Sequence, residues 1–241
     1  MDRPQRVVVV VPTYNEAENL EALVNAVLAQ DDRIEVLVVD DASPDGTGAL
    51  ADRLGVETGR VATLHRDAKR GLGAAYRAGL RRALDNGADA VIQMDCDFSH
   101  PPNLIPQMLE RIEHCDVAIG SRYINGITVV NWPIERILIS YFGNWYAKRI
   151  TGLTISDTTG GFRCVRRAVL ESMGFERIRS NGYGFQIEMN YRFQRERARV
   201  EELEFFFVDR KLGESKMSLR IAFEAMWMVW WLRIADLFGR L

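Results

Sequence analysis

Val7-Val8-Val9-Val10-Val11-Pro12-Thr13-Tyr14-Asn15-Glu16 is the stretch on which the fold turns. Five consecutive β-branched residues offer no polar face to water, so they suit a strand covered on both sides, as in a parallel sheet. Pro12 lacks a backbone donor and is expected to end that strand. A helix start follows, with Thr13 or Asn15 as its cap and Glu16, Glu18 and Glu21 in early turns where the helix dipole favours anions. Leu20, Leu23, Val24, Val27 and Leu28 then recur at core spacing, to about Gln30. The alternation repeats. Strands are expected at 34–39, 61–65, 90–94 and 116–120, a turn at Ser43-Pro44-Asp45-Gly46, and helices over 47–54 and 71–86. This is an α/β pattern with a mostly parallel sheet, in which ligands sit outside the carboxyl ends of the strands. The unusual polar residues fall at those ends: 13–16 after the first strand, Asp40-Asp41 after the second, and Asp95-Cys96-Asp97 after the fourth.

Composition narrows the classes. Of 241 residues, 47% are hydrophobic and 27% charged, which fits one sizeable globular core and excludes disordered and fibrous chains. With 31 basic against 33 acidic residues the net charge is −2, which argues against nucleic acid as a partner bound through bulk charge. Cys96, Cys115 and Cys164 offer neither a disulfide framework nor a metal pair, so a reducing compartment is expected. The apolar run at 7–11 is too short for a signal peptide, and the longest one near the end, 225–232, falls well short of the roughly 20 residues of a spanning helix. Neither a signal peptide nor a transmembrane span is therefore expected. No linker or repeat divides the chain, so 1–241 is read as a single domain.

Two carboxylates as close as Asp95 and Asp97 repel unless a cation lies between them, and oxygen-only ligands suit Mg²⁺ or Mn²⁺. Taken alone, the pair is also compatible with an acidic turn. Asp40 or Asp41 can accept hydrogen bonds from a ribose or base, or Asp41 or Ser43 can cap the next helix. The second half of the chain reads differently: a Gly/Asn/Pro loop at 126–133, helices at 134–150 and 183–195, a Thr/Gly loop at 157–163, a strand at 200–209 and a long apolar helix at 218–237. His100 is expected as a partly exposed turn residue, and Cys96 as pointing into the core.

Taken in order, Val-Pro-Thr-Tyr-Asn-Glu at 11–16, Val-Val-Asp-Asp-Ala-Ser-Pro-Asp-Gly-Thr at 38–47, Arg70-Gly71-Leu72-Gly73-Ala74-Ala75 and Met-Asp-Cys-Asp-Phe-Ser-His-Pro-Pro at 94–102 resemble the GT-A-fold glycosyltransferases of family 2. Gly120-Ser121-Arg122-Tyr123, Trp132-Pro133-Ile134-Glu135-Arg136, Asp157-Thr158-Thr159-Gly160-Gly161-Phe162-Arg163 and the segment 209–216 narrow the resemblance to the dolichol- or polyprenol-phosphate mannosyltransferases. The resemblance covers nearly the whole chain. It implies a GT-A (Rossmann-like), mostly parallel sheet flanked by helices, with a nucleotide-sugar-binding half at 1–122 and an acceptor-binding extension at 123–241.

The activity implied is metal-dependent, inverting transfer of mannose from GDP-mannose to a polyprenyl (dolichyl-type) monophosphate. The alternative is a glucosyl transfer from UDP-glucose, or another donor, to the same lipid. Carried over by position, Pro12, Tyr14, Glu16, Asp40 and Asp41 would hold the nucleotide, together with Asp95, Asp97, Arg210 and Lys216. Asp95 and Asp97 would hold Mg²⁺ or Mn²⁺, with Ser99 at most a water-mediated contact. Arg122, Arg136 and Ser140 would hold the acceptor phosphate, since bidentate arginine is a natural device for bringing one anion to another. The catalytic candidates are Asp97, Arg122, Arg136 and Asp157. Asp157 is expected either to orient the acceptor or, with slight preference, to pair with Arg163; Gly160 stands where the family usually has Ser. In the C-terminal helix, Lys216, Arg220 and Glu224 recur at four-residue spacing beside Trp227, Trp230 and Trp231. That helix suits either core packing or a bilayer interface, and a lipid acceptor favours the interface. The expected location is therefore peripheral, on the cytoplasmic side of a membrane, with a separate integral membrane protein as a candidate partner. The loop at 126–133 is a second candidate for membrane contact.

Overall fold

A computed structural model describes residues 2–208 and 219–239, with side chains of the last helix described from 226 onward. A seven-stranded sheet runs in the order β3-β2-β1-β4-β7-β5-β8. Its members are β1 (Val7–Thr13), β2 (Ile34–Asp40), β3 (Val61–His65), β4 (Ala90–Gln93), β5 (Val117–Ser121), β7 (Arg163–Arg166) and β8 (Val200–Glu204). All neighbours pair in parallel except β7, which runs antiparallel between β4 and β5. The expected α/β architecture holds, and strands from both halves of the chain share one sheet.

The valine run behaves as its composition dictates. Val7, Val9 and Val11 pack with α1 (Ala17–Leu28) and α2 (Thr47–Thr58) on one face. Val8 and Val10 pack with α3 (Leu72–Asp85) and α7 (Gly182–Arg195) on the other. Burying each such side chain stabilises the fold by about 1.5–3 kcal/mol. Gly79 lies where α3 crosses β1: a Cβ there would sit 2.4 Å from Val10 Cγ1, so only glycine allows this approach.

Several local expectations are corrected. β1 continues through Pro12 to Thr13, whose carbonyl accepts from the Asp41 N–H. Neither Thr13 nor Asn15 caps α1. Asn15, Glu16 and Ala17 donate their N–H groups to Ser43 Oγ (3.1 Å), Thr47 Oγ1 (3.0 Å) and Asp45 Oδ2 (3.1 Å). Asp45 also accepts from the Thr47 N–H (3.0 Å), so it serves the starts of both helices, the role offered to Asp41 or Ser43. Strand β7 starts at the last residue of the loop expected at 157–163 and continues through 166, where no element was expected. The strand expected over 200–209 is two: β8, then β9 (Phe207–Val208), which pairs with β6 (Val129–Val130) inside the 126–133 loop.

Helices α5 (Ile134–Thr151) and α8 (Leu219–Leu237) pack on each other and, through α8, on α7. The core-packing reading of α8 is met in part: Met228, Val229, Leu232 and Ala235 are buried, while Trp227, Trp230, Ile234, Leu237 and Phe238 face outward. Together with Ile134, Leu138, Ile139, Phe142 and Trp145 of α5 they make a broad exposed apolar surface. No helix among the described residues is long and apolar enough to cross a membrane.

Candidate active site

The carboxyl edge of the sheet carries a cleft lined by Asp95, Asp97, Ser99 and His100 after β4, by Arg122 after β5, by Trp132 and Arg136 at the start of α5, and by Thr159–Phe162 before β7. Phe205 and Phe207 close one side. The structure thus brings the acidic pair and two of the expected arginines to one cavity. β7 does this: as an antiparallel strand between β4 and β5, it begins at the edge where they end.

The acidic loop is tightly held. Tyr76, fully buried in α3, donates its hydroxyl to Asp95 Oδ1 at 2.9 Å. Burial and the Asp95 charge push the phenol well above its ordinary value, so it stays a donor. The Asp95 N–H donates to His100 Nδ1 at 3.0 Å, and the Ser99 N–H donates to Asp97 Oδ1 at 3.1 Å. His100 is therefore not the partly exposed turn residue expected. It is 4% exposed and stacks on Phe162 with centroids 5.0 Å apart. Burial lowers its pKa, leaving a neutral ring whose proton is on Nε2. Cys96 faces the core as expected.

Asp95, Asp97 and Ser99 line the cleft and offer carboxylate and hydroxyl oxygens, which are hard ligands. They fit Mg²⁺ or Mn²⁺. Among the described residues no group of three or more His, Cys, Asp or Glu could hold a metal by itself, so a cation at Asp95 and Asp97 would complete its shell with an anionic ligand and water.

Asp157 pairs with Arg122, not with Arg163. The Arg122 Nε donates to Oδ2 at 2.7 Å and Nη2 to Oδ1 at 2.8 Å, while the N–H groups of Arg122, Thr159 and Gly160 also donate to the same carboxylate. Burial would raise the Asp157 pKa, but the Arg122 charge and these bonds hold it below the usual carboxylate range. Asp157 is fully buried and does not line the cleft, so it acts on the cleft through Arg122. A Cβ at Gly160 would lie 3.2 Å from the Asp157 carboxylate, a close contact that a side chain there would have to relieve by a small shift. Arg163 is fully buried; it donates to the Gly160 carbonyl and lies over the Phe193 ring. Its Nε and Nη1, both amide atoms of Gln93 and Asn190 Oδ1 are buried without partners, a polar layer beneath the cleft.

Arg136 stacks on Trp132 with its guanidinium carbon 3.9 Å from the ring centre, and Arg122 approaches the same indole at 5.9 Å. Ser140 does not line the cleft; its hydroxyl is engaged with Tyr123 OH at 2.8 Å. Pro12, Tyr14, Glu16, Asp40 and Asp41 do not line this cleft; Pro12 lies within β1, Asp40 ends β2, and the other three lie in the segments that follow these strands. Lys69 sits 3.8 Å above the Tyr14 ring. Asp40 is occupied internally by Thr13 and Ser43, whereas Asp41 contacts Arg66 at 2.7 Å and the Arg70 N–H at 3.4 Å. Arg210 and Lys216 lie outside the described residues.

Sequence reasoning missed Tyr76, the burial of His100, and the aromatic wall of Phe162, Phe205 and Phe207. A lone tyrosine in the alanine-rich helix and a histidine two residues beyond Phe98 were the available signals.

The family described as Glycosyl transferase family 2 matches residues 8–174. Undecaprenyl-phosphate mannosyltransferase of Micrococcus luteus is 44% identical over 221 residues, 92% of this chain and 91% of that protein. Polyprenol monophosphomannose synthase of Mycolicibacterium smegmatis is also 44% identical, over 93% of this chain and 86% of that protein. Among solved structures, glucosyl-3-phosphoglycerate synthase of Mycobacterium tuberculosis in complex with phosphoglyceric acid superposes with a TM-score of 0.68 at 16% identity, covering 95% of this chain and 80% of that one. A Pyrobaculum calidifontis mannosyltransferase in complex with GDP-Man and Mn²⁺ does so at 0.55 and 17%, covering 99% and 75%. These likenesses bear on the fold. With a strand order that puts an acidic pair and two arginines on one edge, and with relatives this similar along nearly its full length, the chain belongs to glycosyltransferase family 2 and is a glycosyltransferase.

Proposed function

We propose that this enzyme transfers mannose from GDP-mannose to a polyprenyl monophosphate, with inversion and with a divalent cation at Asp95 and Asp97. The observation that carries the reading is the meeting of Asp95 and Asp97 with Arg122 and Arg136 in one cleft. A cleft lined by both carboxylates and guanidiniums suits a reaction between two anions. The names of the two 44% identical relatives support the sugar and the lipid class.

When bound, the cation would offset negative charge on the departing diphosphate. The chain's own residues do the rest. Arg136, backed by Trp132, and Arg122, held by Asp157, receive the acceptor phosphate and bring its oxygen to the sugar carbon. That oxygen is already nucleophilic at neutral pH, so neutral His100 is not required as a base. Tyr14, Glu16 and Asp41, in the first half of the chain, serve the nucleoside end. The exposed aromatics of α5 and α8 would rest in a bilayer surface, where tryptophan and tyrosine are well suited, and so bring the cleft to its lipid.

Transfer of labelled sugar from GDP-mannose or UDP-glucose to a short polyprenyl phosphate in detergent, with Mg²⁺ or Mn²⁺, tests this. Mannose from GDP-mannose is the expected product; glucose from UDP-glucose alone would replace the donor assignment. Asp97→Ala should lower kcat by at least about 10²-fold. Arg136→Ala should raise the acceptor KM while leaving GDP-mannose affinity within about twofold, the mark of a lost acceptor contact. An equal loss of donor affinity in both variants would remove the division of labour between carboxylates and guanidiniums.

A further inference from the structure

Asp95 is gripped at two points by residues outside the acidic motif. Tyr76 reaches it from α3, 19 positions upstream, and His100 reaches its backbone from the far side of the loop. Both are locked by packing. The Tyr76 ring is fully buried and stacks on Phe185 with centroids 5.8 Å apart and planes 8° from parallel. The His100 ring stacks on Phe162 at 9°. A ring fixed in this way holds its polar atom where the core puts it. The Tyr76 hydroxyl engages Oδ1, while Asp95 Oδ2 has no hydrogen-bond partner among the described residues. Asp97 differs, since its loop bends through Phe98 at φ +60° and the Ser99 N–H contacts its carboxylate.

We propose that Tyr76 and His100 are positioning residues that fix the Asp95 carboxylate so that it meets the divalent cation through Oδ2. This rests on the metal-dependent reading above. A ligating carboxylate whose other oxygen is hydrogen-bonded is pre-oriented, and losing such a partner typically costs about 10–100-fold in metal affinity. The phenol adds no charge and touches no substrate. Its effect should therefore appear in cation affinity and largely vanish when the cation is saturating.

The test is a Mn²⁺ titration followed by the electron paramagnetic resonance of free Mn²⁺, in the presence of GDP, on wild type, Tyr76→Phe, His100→Ala, His100→Gln and Asp97→Ala. Tyr76→Phe keeps the ring stack and removes only the donor. It should weaken Mn²⁺ binding by about tenfold, with kcat at saturating Mn²⁺ close to wild type and the metal-free thermal midpoint lowered by only several degrees, the worth of one hydrogen bond. His100→Ala should weaken binding as well, and His100→Gln, which restores an acceptor for the Asp95 N–H, should recover most of it. If Asp97→Ala loses Mn²⁺ while Tyr76→Phe and His100→Ala bind as tightly as wild type, the positioning role is overturned and the metal-dependent reading stands. If Asp97→Ala binds Mn²⁺ like wild type, that reading falls and the inference falls with it.

Discussion

Asp41 and Asp157 stand at the same edge of the sheet, each against one arginine, and the two pairs differ in almost every physical respect. Asp157 is fully buried, receives Arg122 in a two-pronged contact and accepts further bonds from neighbouring backbone N–H groups. Its pKa lies below the ordinary value. Asp41 receives Arg66 through one nitrogen and the Arg70 N–H at a long 3.4 Å. Its pKa lies above the ordinary value, because burial outweighs the Arg66 charge. One acid is fully satisfied by the fold and works as a strut. The other retains hydrogen-bonding capacity, as a group that awaits a ligand would.

The comparison can be broken most forcefully at Asp157. Asp157→Ala leaves the Arg122 guanidinium buried without its counter-charge and should destabilise the protein by about 3–5 kcal/mol, read by urea unfolding at pH 7. The pH dependence follows from the sign of the shift. A carboxylate with a lowered folded pKa contributes stability above its unfolded value near 3.8 and loses that contribution as pH falls through the folded value. The wild type should therefore lose this increment only below about pH 4, and Asp157→Ala should show a shallower acid decline there. A variant as stable as wild type at pH 7 would mean that Asp157 is no strut. Asp41 gives the smaller effect and the opposite sign. Its raised pKa means that its ionisation costs stability as pH climbs through the folded value. Asp41→Asn should thus stay within about 1 kcal/mol of wild type at pH 7, while its GDP affinity, measured calorimetrically, falls by roughly tenfold, the worth of a hydrogen bond to a charged group. A large stability loss with unchanged GDP affinity would make the two acids alike.

The sequence announces whatever is local and repetitive. The 7–11 valines could serve only a doubly covered strand, and Asp95-Cys96-Asp97 at the end of a buried strand marks the edge where the cleft lies. What stayed hidden is long-range choice among equals. Nothing in the Asp157 segment distinguishes Arg163, six residues on, from Arg122, 35 residues back. Only the antiparallel insertion of β7 decides, and β7 itself is short, flanked by arginines and so unlike a strand. The capping of α1 by Ser43, Asp45 and Thr47 was illegible for the same reason, since suitable caps lay nearer at hand.

That capping has a consequence for remodelling the enzyme. The first turn of α1 is completed by side chains of the loop after β2, so these two segments form one part rather than two. Exchanging either alone for its counterpart from another glycosyltransferase would leave backbone donors facing the wrong neighbours. Substitutions in them should combine non-additively, and a successful graft would have to carry both.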